Sequence, residues 1–84
     1  QLPIFLFKRL RIIKSNVINK RHINAILKPN LGPSVNSICF NSVNTEIGNY
    51  LLLYKKEIDL TAQINLNIYN NKKRLQLNIK DVFI

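Results

Sequence analysis

Acidic side chains are scarce in this 84-residue chain. Glu46, Glu57, Asp59 and Asp81 are the complete set, against 13 Lys and Arg, leaving a formal net charge of +9. Glu57 and Asp59 stand two apart, which places them on one face of an extended segment. Without a neighbouring His, metal ligand or further carboxylate, they read as a solvated edge and not as an acid/base pair. Cys39 is the single cysteine and His22 the single histidine. One excludes an internal disulfide, and the two together exclude a Cys/His metal cluster. Only two glycines are present, and no phosphate-binding glycine loop or dinucleotide fingerprint can be written with them. The longest apolar opening run, Leu2 to Phe7, falls far short of the roughly 20 residues a membrane-spanning helix needs. These absences leave no catalytic residue, no metal site and no cofactor to assign, and an enzyme is not expected.

What the chain does have is positive charge, asparagine and β-branched residues. Apolar residues make up 46% of it, ordinary for a folded domain, so wholesale disorder is disfavoured. A charge of +9 on so small a body points to a polyanionic partner. Lys8, Arg9, Arg11, Lys14, Lys20, Arg21 and Lys28 precede a Pro/Gly stretch, while Lys72, Lys73 and Arg74 cluster further on; all are candidate phosphate contacts. Aromatics are few, so backbone contact is expected over a stacking platform. His22, within KRH, reads as exposed or phosphate-facing. Cys39 reads as buried packing, with a thiol activated at a helix N-terminus as the alternative.

The excess of Asn, Ile and Lys, with Trp and Met absent, is what AT-rich coding produces. It suggests an organelle, the mitochondrial matrix first, with a plastid or a bacterial cytoplasm as alternatives. A first residue of Gln suggests a processed N-terminus or a frame that starts upstream.

Residues 1–16 read as a basic, apolar N-terminal arm: an assembly anchor, with an element of the fold or a membrane contact as alternatives. Residues 17–84 read as a single domain. INAIL has the β-branched content of a short strand. In LKPNLGPSVNSICFN, Pro29, Gly32 and Pro33 end that strand, and Pro33 with Ser34 reads as a stiff start to a helix. Phe40, Val43, Ile47, Tyr50, Leu51 and Tyr54 recur at three and four, predicting a helix from about Phe40 to Tyr54. Gly48 weakens its middle by roughly 1 kcal/mol relative to Ala. From Leu60 to Ile68 and from Leu75 to Ile79 apolar and polar residues alternate about an Asn-rich tip, predicting a β-hairpin. The predicted fold is α+β: a small three-stranded sheet, N-terminal strand plus C-terminal hairpin, covered by one or two helices.

Pro29-Asn30-Leu31-Gly32-Pro33 resembles the P-P-V-G-P-A-L-G corner in the N-terminal domain of large-subunit ribosomal protein eleven, at the base of the ribosomal stalk. Asn41 falls where that family has the Asn of G-V-N, and Ile68-Tyr69 where it has V-Y. YNNKKRLQLNIK is similar to its Y-x-D-R-S-F-T-F-x-T-K with one extra residue. Asn30, Asn36 and Cys39 replace a proline and two glycines of the pattern. The resemblance implies a structural component of the large ribosomal subunit at the GTPase-associated centre. Pro29, Gly32 and Pro33 would then face ribosomal RNA and translation factors. Implied partners are large-subunit ribosomal RNA, neighbouring ribosomal and stalk proteins, translational GTPases bound transiently, and a separate chain carrying the family's C-terminal RNA-binding domain, which is absent here; no membrane partner is expected. The rival readings are an accessory subunit of an organelle membrane complex and a free-standing RNA-binding or assembly factor.

Overall fold

A computed structural model describes residues 2–84. The chain runs β1 (Phe5–Ile18), β2 (His22–Lys28), β3 (Val35–Cys39), α1 (Glu46–Leu53), β4 (Ile58–Tyr69) and β5 (Lys72–Phe83). The strands close into one barrel in the order β1-β2-β3-β5-β4, with β1 returning to β4. All neighbours are antiparallel except β3 and β5, which run parallel over Asn36↔Gln76 to Ile38↔Asn78.

β1 can serve two neighbours because bulges bend it. Against β4 its register steps from Phe7↔Leu60 to Leu10↔Ile58, so one extra residue is accommodated. Arg9 there adopts φ 59°, and its backbone N–H donates to Asp59 Oδ1 at 2.9 Å. Against β2 the register steps from Ile12↔Leu27 to Lys14↔Ile26, leaving Ile13 over. A further bulge, where Thr61↔Asp81 gives way to Ala62↔Ile79, lets Ile79 and Val82 both stay buried across an interval of three.

The core fills the barrel: Leu10, Ile23, Ala25, Leu27, Cys39, Leu51, Ile58, Leu60, Ala62, Leu77, Ile79 and Val82. On β2 the alternation is strict, with Ile23, Ala25 and Leu27 inside. β3 contributes Ser37 as well as Cys39. Ser37 satisfies its hydroxyl by donating to the Ala25 carbonyl at 2.6 Å, which makes its burial tolerable. Helix α1 packs its Leu51 into the core and is capped by Thr45, whose Oγ1 accepts the Gly48 N–H at 3.0 Å.

Several expectations are corrected. The fold is a five-stranded barrel with one short helix, not a three-stranded sheet under helices. The supposed arm is, from Phe5, the first strand, so the barrel includes residues assigned outside the domain. The Pro/Gly stretch joins β2 to β3 and does not start a helix. Residues 35–39 are strand, and the helix begins at Glu46 instead of near Phe40. The C-terminal hairpin is present, with β4 and β5 paired from Asp59↔Phe83 to Tyr69↔Lys72. Asn70 and Asn71 form its tip at φ 51° and 62°, the left-handed pair a two-residue hairpin turn requires. A barrel of this strand order, with its helix between β3 and β4, is an OB fold.

Candidate nucleic-acid interface

The outer face of β1, β2, β3 and β5 is built in cross-strand rows. Lys14, Ile26, Asn36 and Gln76 are successive partners in one row, and Asn16, Asn24, Ile38 and Asn78 in the next. Asn24 and Asn36 are locked together. Asn24 Nδ2 donates to Asn36 Oδ1 at 2.7 Å and to the Ser37 carbonyl at 2.9 Å. The upper hairpin rises beside this face, with Asn67 Nδ2 donating to Gln76 Oε1 at 3.1 Å. Between hairpin and face lies a groove of about 610 Å³ lined by Ile26, Asn36, Asn67, Ile68, Arg74, Leu75 and Gln76.

Charge borders the face on both sides. Lys8, Arg9, Arg11 and Lys14 follow one another along β1, and Lys72, Lys73 and Arg74 open β5. Lys20 and Arg21 sit in the β1–β2 turn at the far end, where Asn19 and Lys20 both have positive φ. That turn is tied down: Arg21 N–H donates to the Ile18 carbonyl, and Val43 N–H to the Arg21 carbonyl, each at 3.1 Å. No Asp or Glu occurs before Glu46, so β1, β2, β3 and their loops carry no carboxylate. The predicted cations are therefore not one patch. They form a stripe on β1, a turn at one end and a hairpin tip at the other. Lys28 is placed differently: its Nζ donates to the carbonyls of Pro29 and Gly32, at 3.1 and 2.8 Å, and so holds the β2–β3 loop in shape.

That loop contains Pro29, Gly32 at φ 105° and Pro33. Pro29 and Pro33 line a second, apolar cleft of about 590 Å³ at the mouth of the barrel. The stiffness read from the sequence is real, but it shapes a strand-to-strand connection.

Composition concealed two features of this face. Phe40, assigned to a helix face, follows β3 and is 52% exposed. His22 meets it edge-on, with ring centroids 5.3 Å apart, and His22 Nδ1 accepts the Asn41 N–H at 2.9 Å. This gives the face one presented aromatic surface. The Asn pair on β2 and β3 was masked by the general excess of Asn, and only strand register singles it out. Cys39 is buried, with Sγ 3.7 Å from the Ile79 carbonyl. Burial pushes its thiol above the ordinary value, against smaller lowering effects from Ser42 and Lys80, the opposite of an activated nucleophile. Among the described residues, no group of three or more His, Cys, Asp and Glu side chains could hold a metal ion, and no helix is long and apolar enough to cross a membrane.

Residues 1–81 match the family model of the RecJ OB domain. The chain belongs to this family. No curated protein matches the chain.

Membership of the RecJ OB family overturns the ribosomal resemblance. The match, over residues 1–81, takes in the Pro/Gly stretch and the hairpin alike, and the chain is not a stalk-base domain. The ribosomal role, the ribosomal RNA, stalk-protein and translational-GTPase partners, and the separate chain with a missing domain fall with it. The likeness arose from local chemistry. A Pro/Gly loop and an Asn-tipped hairpin are solutions that unrelated folds share, because φ preferences fix them both. In a RecJ OB domain the same residues connect barrel strands.

Proposed function

We propose that this chain is a binding module for single-stranded nucleic acid, DNA first, and does no covalent chemistry of its own. The strand lies across the outer face of β2 and β3, from the Lys20–Arg21 turn, past Phe40, to the groove beside Arg74. The observation that carries the reading is a grooved face with cations along both borders and no carboxylate on β1–β3. Membership of the RecJ OB family supports it, because OB barrels take oligonucleotides on this face, between the β1–β2 and β4–β5 loops. Phe40 supplies a ring on which a base can stack, while Lys14, Lys20, Arg21, Lys72, Lys73 and Arg74 meet phosphates.

The test is anisotropy titration of labelled single- and double-stranded DNA and single-stranded RNA at several salt concentrations. Single-stranded DNA should bind best, with affinity falling linearly on a log–log salt plot. Lys20→Ala and Arg74→Ala should each lower the slope by about 1. Equal binding of duplex and single strand, or a slope unchanged by these substitutions, would sink the proposal.

A further inference from the structure

The cleft at the barrel mouth is mainly apolar, with Arg74 the one cation in its lining. Its lining includes Phe7, Ile26, Pro29, Ile64, Leu75 and Leu77. The face of β4 that supplies the buried Leu60 and Ala62 continues outward as Ile64, Leu66 and Ile68, increasingly exposed, with Leu75 opposite Leu66. A barrel needs none of this to close. The cleft is also continuous with the groove on the outer face, since Ile26, Asn36, Arg74 and Leu75 line both.

We infer that this mouth is a pocket for one unstacked nucleobase of the bound strand, an inference that rests on the single-strand reading above. Three observations favour that occupant. Arg74, at the junction, places a cation where the phosphate of the nucleotide entering the mouth would lie. The walls are flat or branched apolar groups, Phe7, Pro29, Pro33, Ile64 and Leu75, which suit the faces of a base. Asn36 and Ser34 stand in the same lining and offer hydrogen-bonding groups to a base edge. The volume of about 590 Å³ lies within the range of small-ligand pockets. A second copy docked two-fold over the mouth suits the site poorly, because the Arg74 side chains that line it in both copies would be brought together.

The test uses the 84-residue chain and the shortest thymidine oligomer that binds with full affinity, so that the strand occupies one register. Abasic sites are walked through that oligomer one position at a time. Apart from the position stacked on Phe40, which Phe40→Ala identifies, one further position, or two adjacent ones, should weaken binding by about tenfold or more, the scale of one base–side-chain contact. Leu75→Ser and, separately, Ile64→Ser replace half-exposed side chains. Each should abolish that position-specific penalty while leaving the salt slope unchanged. No sensitive position beyond the one that Phe40→Ala identifies, or a penalty at that further position that survives both substitutions, overturns the pocket while the single-strand reading stands. Failure of every oligomer to bind overturns both. A concentration-dependent dimer that either substitution dissolves would assign the mouth to a second copy and overturn the base pocket.

Discussion

A Cβ added to Gly48 would overlap the carbonyl oxygen of Ser42 and come within 2.8 Å of its carbonyl carbon. That carbonyl cannot give way easily. It accepts the Thr45 hydroxyl and the Thr45 N–H, and the Ser42 hydroxyl is held by Cys39 O at 2.8 Å. Helix propensity alone says Gly48→Ala should gain roughly 1 kcal/mol; close approach reverses the sign. The substitution should cost about 2–3 kcal/mol, as overpacking does, read as a lower urea midpoint with an unchanged slope.

Asp59 holds the bulge that lets β1 turn from β2 to β4. Asp59→Ala should lower stability by about 1 kcal/mol, the usual net worth of one hydrogen bond. Asp59→Asn keeps an acceptor oxygen for the Arg9 N–H and should lose less. Thermal unfolding of the two variants beside the parent checks the order; equal losses would assign the effect to charge instead.

Burial in the barrel shifts the titration of the Cys39 thiol. Its folded-state value is raised, chiefly by burial, so the folded form holds its proton where the unfolded form has released it. The stabilisation is complete below the ordinary thiol range and is lost as pH rises from that range towards the folded-state value. Stability should therefore fall in mild alkali, and Cys39→Ala should flatten that part of the profile while lowering stability throughout. A thiol reagent should modify Cys39 slowly in the native protein and at once in denaturant.

Phe40 separates a stacking face from a merely charged one. Phe40→Ala should weaken single-strand binding by about 1–3 kcal/mol without altering its salt slope, and Phe40→Tyr should restore most of the loss. Because Phe40 is half-exposed, urea unfolding should move little. Wild-type affinity in Phe40→Ala would remove base stacking at Phe40 from the reading.

How much of this was legible in the sequence varied with how regularly each strand keeps its phase. β4 and β5 alternate cleanly from Leu60 and back through Leu75, and the Asn pair marks the turn, so the hairpin could be read directly. β1 could not. Its bulges near Arg9 and at Ile13 each reset which side chains face inward, and FLFKRLRIIKSNVI then shows no sustained period. β3 is short and buries Ser37 and Cys39, neither of which announces a strand. Its Cys39 is followed by Phe40 and Val43, whose spacing merges with that of the true helix, so a helix predicted from spacing alone runs too long. The cations were visible as a list. Their arrangement around β2 and β3 was not, because cross-strand rows depend on register, which the bulges and the parallel β3–β5 pairing set.

The twofold use of β1 also orders the folding reaction. The β1–β2 and β4–β5 ribbons join near neighbours in sequence and can zip in microseconds. Closure must bring Phe5 to Ala62 and Asn36 to Gln76, and loops of that length make such encounters slow. The seams, not the hairpins, therefore set the folding time. Until they form, Leu60, Ala62 and Ile64 remain in water on one long two-stranded ribbon, and that interval is when a nascent chain is most prone to self-association.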